Sequence, residues 1–143
     1  MSEFIYNPIQ TVEVGQNVLL QDSIPCTRGY VIHRNGSGIL TLRGIVNNPC
    51  AKFARYKVEF NGNIAVPTGE TVGEISLALA IDGEALQTSR ARVTPAAVEN
   101  YFNVTSVANI TVPAGCCLTI SVENTSTTSI NVQNSNLTVD RTA

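Results

Sequence analysis

The chain of 143 residues is predicted to fold as one all-β domain, a sandwich or a barrel of antiparallel strands. Apolar and polar residues alternate with a period of two through most of its length, which is the pattern of half-buried strands. Residues typical of turns cluster between these stretches. Charged residues make up only 14% of the chain, against about 25% in an average protein, and serine, threonine and asparagine are abundant instead.

Strand-like alternation occurs in about ten stretches, the number expected of such a fold. They cover residues 11–14, 17–21, 28–34, 38–44, 53–66, 74–81, 84–93, 100–112, 116–124 and 129–139. Asp82-Gly83 is the strongest signal for a two-residue hairpin turn, and residues 35–38 predict a second hairpin. Asn61-Gly62 fits either a two-residue turn or a bulge within one long strand.

Residues 75–81 and 117–122 are apolar on both faces of the expected strand. One face of such a strand fills the core of the domain, and the other face needs a cover. In an antiparallel sheet that cover is typically a neighbouring subunit, so the sequence predicts an oligomer.

Charge and composition exclude several functions. The 9 basic and 11 acidic residues give a formal charge of −2 and a pI near 5.3, which argues against coating nucleic acid and against a polybasic membrane anchor. Residues 1–8 lack the basic and apolar regions of a secretory signal, and none is expected. The sequence has no apolar run long enough for a membrane span.

Catalytic and metal-binding motifs are also missing. His33 is the only histidine, and no Gly-x-Ser-x-Gly elbow, P-loop or Gly-x-Gly-x-x-Gly is present. Any two of five carboxylates could in principle converge as the pair of a glycoside hydrolase, but most of them lie at predicted turns, where acidic residues are ordinary: Glu59, Glu70, Glu74, Asp82 and Glu84. We therefore predict no enzyme activity, no catalytic residues, no cofactor and no metal.

The four cysteines are Cys26, Cys50, Cys116 and Cys117. Their spacing does not suit a zinc site, because the adjacent pair faces opposite sides of a strand. We expect reduced, largely buried thiols, and the sequence leaves a disulfide between Cys26 and Cys50 open.

Several segments together resemble the tumour necrosis factor-like jelly rolls of the complement-head type. They are Ala54–Phe60, Gly73–Gly83, Phe102-Asn103-Val104, Ile110–Leu118, Ile120–Asn124 and Ile130–Val139. The resemblance extends over residues 28–139 and includes bacterial and phage versions of this fold, such as the heads of collagen-like exosporium glycoproteins. It implies a jelly-roll β-sandwich and a homotrimer.

The same resemblance implies that residues from the central strands of the jelly roll line the trimer axis. The interface candidates are therefore Tyr56, Phe60, Leu77, Leu79, Leu118 and Ile120. For Tyr56 and Phe60, filling the domain's own core is the alternative.

The chain departs from those relatives in having no collagen-like stalk. Residues 1–10 form instead an apolar segment outside the repeating strand pattern, before a single jelly-roll domain over residues 11–143. An apolar terminal segment without a place in its own core is expected to dock on another molecule. The docking candidates in this segment are Phe4, Ile5 and Tyr6. Arg90 and Arg92 share one face of the predicted strand after Asp82-Gly83 and are the other candidates, with a solvated strand face as the alternative.

Taken together, these features predict a structural virion protein. We expect a homotrimeric decoration protein that binds the major capsid protein on the outside of a phage capsid, stabilises that shell, and is made in the cytoplasm of the bacterial host. The alternative is a receptor- or carbohydrate-binding trimeric head of a phage fibre or a spore-surface protein, whose loops would contact a glycan. Neither hypothesis involves nucleic acid or a membrane.

Overall fold

The structure, a computed structural model, describes residues 2–24, 31–33, 36–44, 52–115 and 117–142. These residues form twelve β-strands, all paired antiparallel, and one short 3-10 helix. The strands are β1 Ser2–Tyr6, β2 Gln10–Val12, β3 Asp22–Ile24, β4 Val31–His33, β5 Leu40–Arg43, β6 Phe53–Ala65, β7 Ile75–Ile81, β8 Glu84–Ala85, β9 Ala91–Val93, β10 Phe102–Pro113, β11 Cys117–Asn124 and β12 Ile130–Arg141, and the helix is Gln87–Ser89. The predicted all-β class is confirmed. In the described part of the chain no helix is long and apolar enough to cross a bilayer.

The strands are arranged in two six-stranded sheets. Sheet A has the order β10-β6-β12-β1-β3, with β2 also paired to β12, and sheet B has the order β4-β5-β11-β7-β8, with β9 also paired to β7. The last three strands alternate between the sheets, so the chain crosses the sandwich after β10 and again after β11. This crossing connectivity is typical of a jelly roll.

The core lies between the two sheets and is filled by alternate residues of the long strands. On β6 the even-numbered residues Tyr56, Val58 and Phe60 are completely buried, whereas the odd-numbered residues Arg55 and Lys57 are exposed. The Tyr56 hydroxyl donates a hydrogen bond to the Arg43 carbonyl, so its polar atom is satisfied. Burial of each large apolar side chain contributes about 1.5–3 kcal/mol.

The predicted turn at Asp82-Gly83 is confirmed as the hairpin between β7 and β8. Asp82 and Gly83 both have positive φ angles, 52° and 85°, as the two central residues of a type I′ turn require. The Asp82 carboxylate also accepts hydrogen bonds from the backbone N–H and hydroxyl of Thr119, at 2.9 and 3.0 Å. The turn is thereby held against β11. The second predicted hairpin includes residues 34 and 35, which lie outside the described residues.

Asn61-Gly62 lies within the single strand β6, and the irregularity is in its partner. The β6–β12 register shifts between Gln133 and Asn136, where Asn134 has a φ of 55°. A Cβ atom on Gly62 would lie 3.0 Å from the Phe60 ring, so only glycine fits without displacing that side chain. The bulge therefore belongs to β12.

The N-terminal segment corrects the prediction of a separate docking arm. Residues Ser2–Tyr6 form β1, which pairs with β12 on one side and β3 on the other. Phe4 is 2% exposed, and its ring centroid lies 4.8 Å from that of His33. Residues 2–6 are thus an internal strand of sheet A, and the segment packs on its own domain.

One further boundary differs from the prediction. The stretch 84–93, expected as one strand, is divided into β8, the 3-10 helix and β9. The Ser89 hydroxyl donates to the Leu86 carbonyl at 2.7 Å and accepts the Leu79 N–H at 3.0 Å. These bonds tie the helix to β7 and interrupt the pairing of the edge strands.

Candidate functional site

The predicted trimer-interface residues lie inside the domain. Tyr56, Phe60, Leu77, Leu79 and Ile120 are at most 1% exposed, and Leu118 is partly buried and packs on the same core. The five fully buried side chains fill the sandwich of their own chain, so they are unable to contact a neighbour while the domain stays folded. For Tyr56 and Phe60 the core alternative is the one observed. On β6 the outward-facing residues, such as Arg55 and Lys57, are exposed to solvent.

The second face of β7 is closed by the chain itself. Ser76, Ala78 and Ala80 alternate with the core residues of β7 and are nevertheless at most 1% exposed. Arg90 lies against this face, because its Nε donates to the Ser76 hydroxyl at 3.1 Å and its Nη2 to the Thr125 carbonyl at 3.3 Å. The expectation that a neighbouring subunit must cover this strand is therefore wrong for β7.

The predicted docking residues are not brought together. Arg90 is engaged on β7, and Arg92 is exposed with its Nη1 3.9 Å from Glu74. Phe4 is in the core, and Ile5 and Tyr6 are partly buried within β1. Phe4 and Arg90 are corrected from docking residues to internal ones, because each already has its contacts within the domain.

No catalytic arrangement forms among the described residues. The ring of His33 bonds the Ser37 carbonyl at 2.9 Å, which suits a structural histidine. The five carboxylates considered for acid–base chemistry are dispersed: Glu59 pairs with Lys57 at 3.0 Å, Glu70 accepts from Ser129 at 3.4 Å, Glu74 faces Arg92, and Asp82 binds Thr119. Glu84 lines a shallow open depression of about 400 Å³ beside the β7–β8 turn.

Metal-binding groups are equally dispersed in the described part of the chain, where no three histidine, cysteine or acidic side chains come together. Cys117 is exposed and has a free thiol, which corrects the expectation of a buried one. Cys26, Cys50 and Cys116 lie outside the described residues.

One carboxylate, Glu99, organises the end of the sandwich where β12 begins. Its Oε1 accepts hydrogen bonds from the Thr68 N–H at 3.1 Å, the Thr68 hydroxyl at 3.2 Å and the Asn131 side-chain amide at 3.2 Å. Its Oε2 accepts from the Tyr101 hydroxyl at 3.4 Å. Glu99 has a φ of 58°, a conformation that costs a non-glycine residue energy and is held here by these bonds.

Partial burial raises the pKa of the Tyr101 hydroxyl above 10.0, and the negative charge of Glu99 raises it further. The sequence gives no sign of this group, because Thr68, Glu99, Tyr101 and Asn131 come from three separate segments. Its role is structural, since every group in it bonds another part of the same domain.

Side-chain amides cover one half of the outward face of sheet A. Asn103 donates to Asn63 at 3.1 Å across the β10–β6 pair, and Asn136 donates to the Glu3 carboxylate at 2.7 Å. We call this area the amide face; it consists of Asn61, Asn63, Asn103, Gln133 and Asn136. It is polar, and its own residues carry no charge.

Cations collect at the opposite end of the strands. Arg43 ends β5, and Lys52, Phe53 and Arg55 begin or precede β6. All four side chains are exposed, and the Arg55 guanidinium lies 5.9 Å from the centre of the Phe53 ring. Arg55 faces outward on sheet A, as the alternation of β6 predicts, and Arg43 faces outward on sheet B.

Comparison with known proteins supports the fold and goes no further. No family model matches the chain, and no curated protein matches it. The globular domain of zebrafish complement 1qA superposes with a TM-score of 0.61 at 14% identity, covering 96% of this chain and 94% of that one. A GH26-CBM35 mannanase from Podospora anserina reaches only a TM-score of 0.30, at 14% identity over 96% of this chain and 28% of that one. The chain therefore has the tumour necrosis factor-like jelly-roll fold of the complement head.

Proposed function

We propose that the chain is a non-enzymatic, homotrimeric head that decorates the outside of a phage capsid and stabilises it by binding the major capsid protein. The observation that carries this proposal is the contrast between a tightly packed interior and the broad exposed outward face of β6 and β10 in sheet A. His33, Glu59 and Asp82, which are candidate catalytic groups, each bond another part of their own domain. A head of this kind acts by burying area on its partners.

The trimer contact is proposed on the outward face of sheet A. Val107 is 45% exposed near the middle of the edge strand β10, where it pairs with Glu59 of β6. The neighbouring outward side chains of β6 are Arg55, Lys57, Glu59, Asn61 and Asn63. A closed threefold assembly through this face buries the same polar and apolar groups in each subunit.

Attachment to a capsid is tested by co-sedimentation with undecorated particles of the phage that encodes the chain. The wild-type protein is expected to sediment with the particles in a saturable way and to raise the temperature at which they break. A matched control uses particles already decorated, whose sites are filled. Failure of the protein to bind undecorated particles would overturn the decoration proposal.

A glycan-binding head of a phage fibre or spore surface is the second candidate, and the amide face favours it. Amides and hydroxyls bond sugar hydroxyls without a charge requirement, and Thr105 adds a hydroxyl beside Asn61 at 3.5 Å. Under this alternative the protein binds sugars on a glycan array and does not bind capsid particles. Substitution of Asn63 and Asn103 by alanine would then remove the array signal, whereas the same substitution at Asn100, exposed in a loop, would leave it.

A further inference from the structure

Strand β10 is a long edge strand of sheet A. It pairs with β6 alone, from Phe102 to Pro113, without any shift of register. The other described strands that pair on one side only have two or three residues each, and they are β2, β3, β4, β8 and β9. Among the described strands, β10 is therefore the one open edge long enough to take a full further strand.

The free backbone groups of β10 belong to its odd-numbered residues. The Ala114 N–H donates to the Lys52 carbonyl at 3.0 Å, one step beyond the last pair of the β10–β6 ladder. Because bonded pairs alternate in an antiparallel ladder, the even-numbered residues of β10 bond β6 and the odd-numbered ones direct their N–H and C=O groups away from it. Pro113, which has no N–H, lies at an odd position, as is usual for proline on an open edge. The open groups belong to Asn103, Thr105, Val107, Asn109 and Thr111.

β10 also lacks the features that usually prevent edge strands from pairing. Such strands are commonly protected by a charged side chain, an internal proline, a bulge or a short length. Residues 102–113 include no charged residue, and their single proline is the last of them. The ladder with β6 is regular throughout. The backbone of this edge is therefore open to a strand that runs beside it.

A second copy of β10 fits this edge in an antiparallel register centred on Val107. In that register Val107 lies opposite Val107 of the other copy, Thr105 opposite Asn109, and Asn103 opposite Thr111. The valine pair covers two apolar side chains that are each 45% exposed. Each of the other pairs places a hydroxyl beside an amide, which can bond across strands. Five bonded pairs with two backbone hydrogen bonds each give about ten such bonds.

The charge of the protein does not oppose this pairing, although each chain has a formal charge of −2. Glu59, which lies opposite Val107 on β6, is paired with Lys57 at 3.0 Å. In the joined sheet the two copies of Glu59 are three strand spacings apart, about 14 Å, which exceeds the Debye length of about 8 Å at physiological ionic strength. The twofold symmetry makes the edge complementary to itself, and this selects a second copy as the occupant.

We propose that β10 is a self-pairing edge, through which two copies of this chain join their A sheets about a twofold axis at Val107. The inference goes beyond the proposed function, because it concerns contact between two heads rather than within one. The proposed trimer contact uses side chains on the face of sheet A, whereas this contact uses the backbone at its edge. A trimer would display three such edges, so pairs that are weak singly would add up between heads held on one surface.

Cross-linking of cysteine variants tests the register. Every variant carries Cys117→Ser, which removes the exposed native thiol, and this parent protein is the blank. Val107→Cys is expected to give a covalent dimer with a short thiol-specific cross-linker at millimolar protein, because the two Cα atoms lie about 5.5 Å apart in a bonded pair. Thr105→Cys and Asn109→Cys should each fail alone, since identical positions are offset by about 14 Å along the strands, and should cross-link when the two variants are mixed.

Two substitutions at one position test the backbone bonds. Asn109→Pro removes an N–H that faces the open edge and leaves the bonds to β6 in place. Combined with Val107→Cys, it should lower the yield of covalent dimer about tenfold. Asn109→Ala is the matched control, because it removes the same side chain but keeps the N–H, and its yield should stay within about twofold of the parent's. Asn109→Lys replaces the proline variant if that protein does not fold.

Three results would overturn the inference. Cross-linking of Val107→Cys without cross-linking of the mixed pair would place Val107 near a threefold axis instead. Equal yields from Asn109→Pro and Asn109→Ala would mean that backbone pairing is not involved. No cross-link in either experiment would leave the edge to a strand of another protein. A trimer that forms without edge pairing overturns this inference alone, and edge pairing of single chains overturns only the trimeric head.

Discussion

The outward faces of the two sheets differ in whether the chain itself buries them. On sheet B, the outward residues Ser76, Ala78 and Ala80 of β7 are buried within their own chain, and Arg90 bonds Ser76 from above. On sheet A, the outward residues of β6 and β10 are mostly polar and exposed to solvent. Val107 is an exposed apolar residue among them. The outward face of the apolar strand β7 is therefore buried, whereas the outward face of the polar strand β6 is exposed to solvent.

This difference shows that apolar character on both faces of a strand does not identify an interface. Alanine and serine on β7 are small enough for a neighbouring segment of the same chain to lie against them. A surface for partners has to be sought where the side chains are exposed and fixed. In this protein the outward face of β6 and β10 in sheet A meets that description.

The largest effect is expected from a charge placed on the closed face. Ala78→Asp buries a carboxylate without a partner and should lower the free energy of unfolding by at least about 3 kcal/mol. The same substitution at Ala97, exposed in a loop, should cost less than about 1 kcal/mol. Urea denaturation of both variants measures the difference. Equal losses would mean that the outward face of β7 is open.

The two sides of β1 provide a second comparison, between the core and the outward face within one strand. Phe4→Ala should cost about 3–5 kcal/mol, because the ring is buried in the core. Ile5→Ala on the outward side should cost less than about 2 kcal/mol. Thermal unfolding of the two variants checks this order. No loss from Phe4→Ala would restore the docking arm that the sequence predicts.

Glu99 tests whether the hydrogen-bonded group at the end of the sandwich where β12 begins contributes to stability. Glu99→Gln keeps one acceptor but loses the second oxygen that receives the Tyr101 hydroxyl, and should cost about 0.5–1.5 kcal/mol. Glu13→Gln, exposed in the same end, is the control and should change the free energy of unfolding by less than about 0.5 kcal/mol. A control variant as unstable as Glu99→Gln would contradict a specific role for Glu99.

The smallest effect concerns alkaline pH. The raised pKa of Tyr101 means that the folded state favours the neutral hydroxyl, so its contribution is present below pH 10.0 and lost as pH rises through the folded pKa. The stability difference between wild type and Tyr101→Phe should therefore shrink above pH 10.0. Thermal unfolding as a function of pH measures it, and parallel profiles for the two proteins would contradict the assignment.

Local pattern predicted the long strands well and their partners poorly. The alternation in β6, β10 and β12 and the turn at Asp82-Gly83 are local properties, and the structure has them where the sequence indicates. β1 was missed because Phe4-Ile5-Tyr6 is apolar without alternation, so its pairing with β12 has no local signal. The group around Glu99 joins residues distant in the chain, and only the folded topology brings them together.

The oligomeric state is the most direct test of a trimeric head, and sedimentation equilibrium measures it. At micromolar concentration we predict a mass three times the 15.3 kDa of one chain, and partial dissociation when Val107→Asp places a charge on the open face of sheet A. Ala97→Asp is the control and should leave the assembly intact. A wild-type protein that sediments at 15.3 kDa across the concentration range would contradict the central claim.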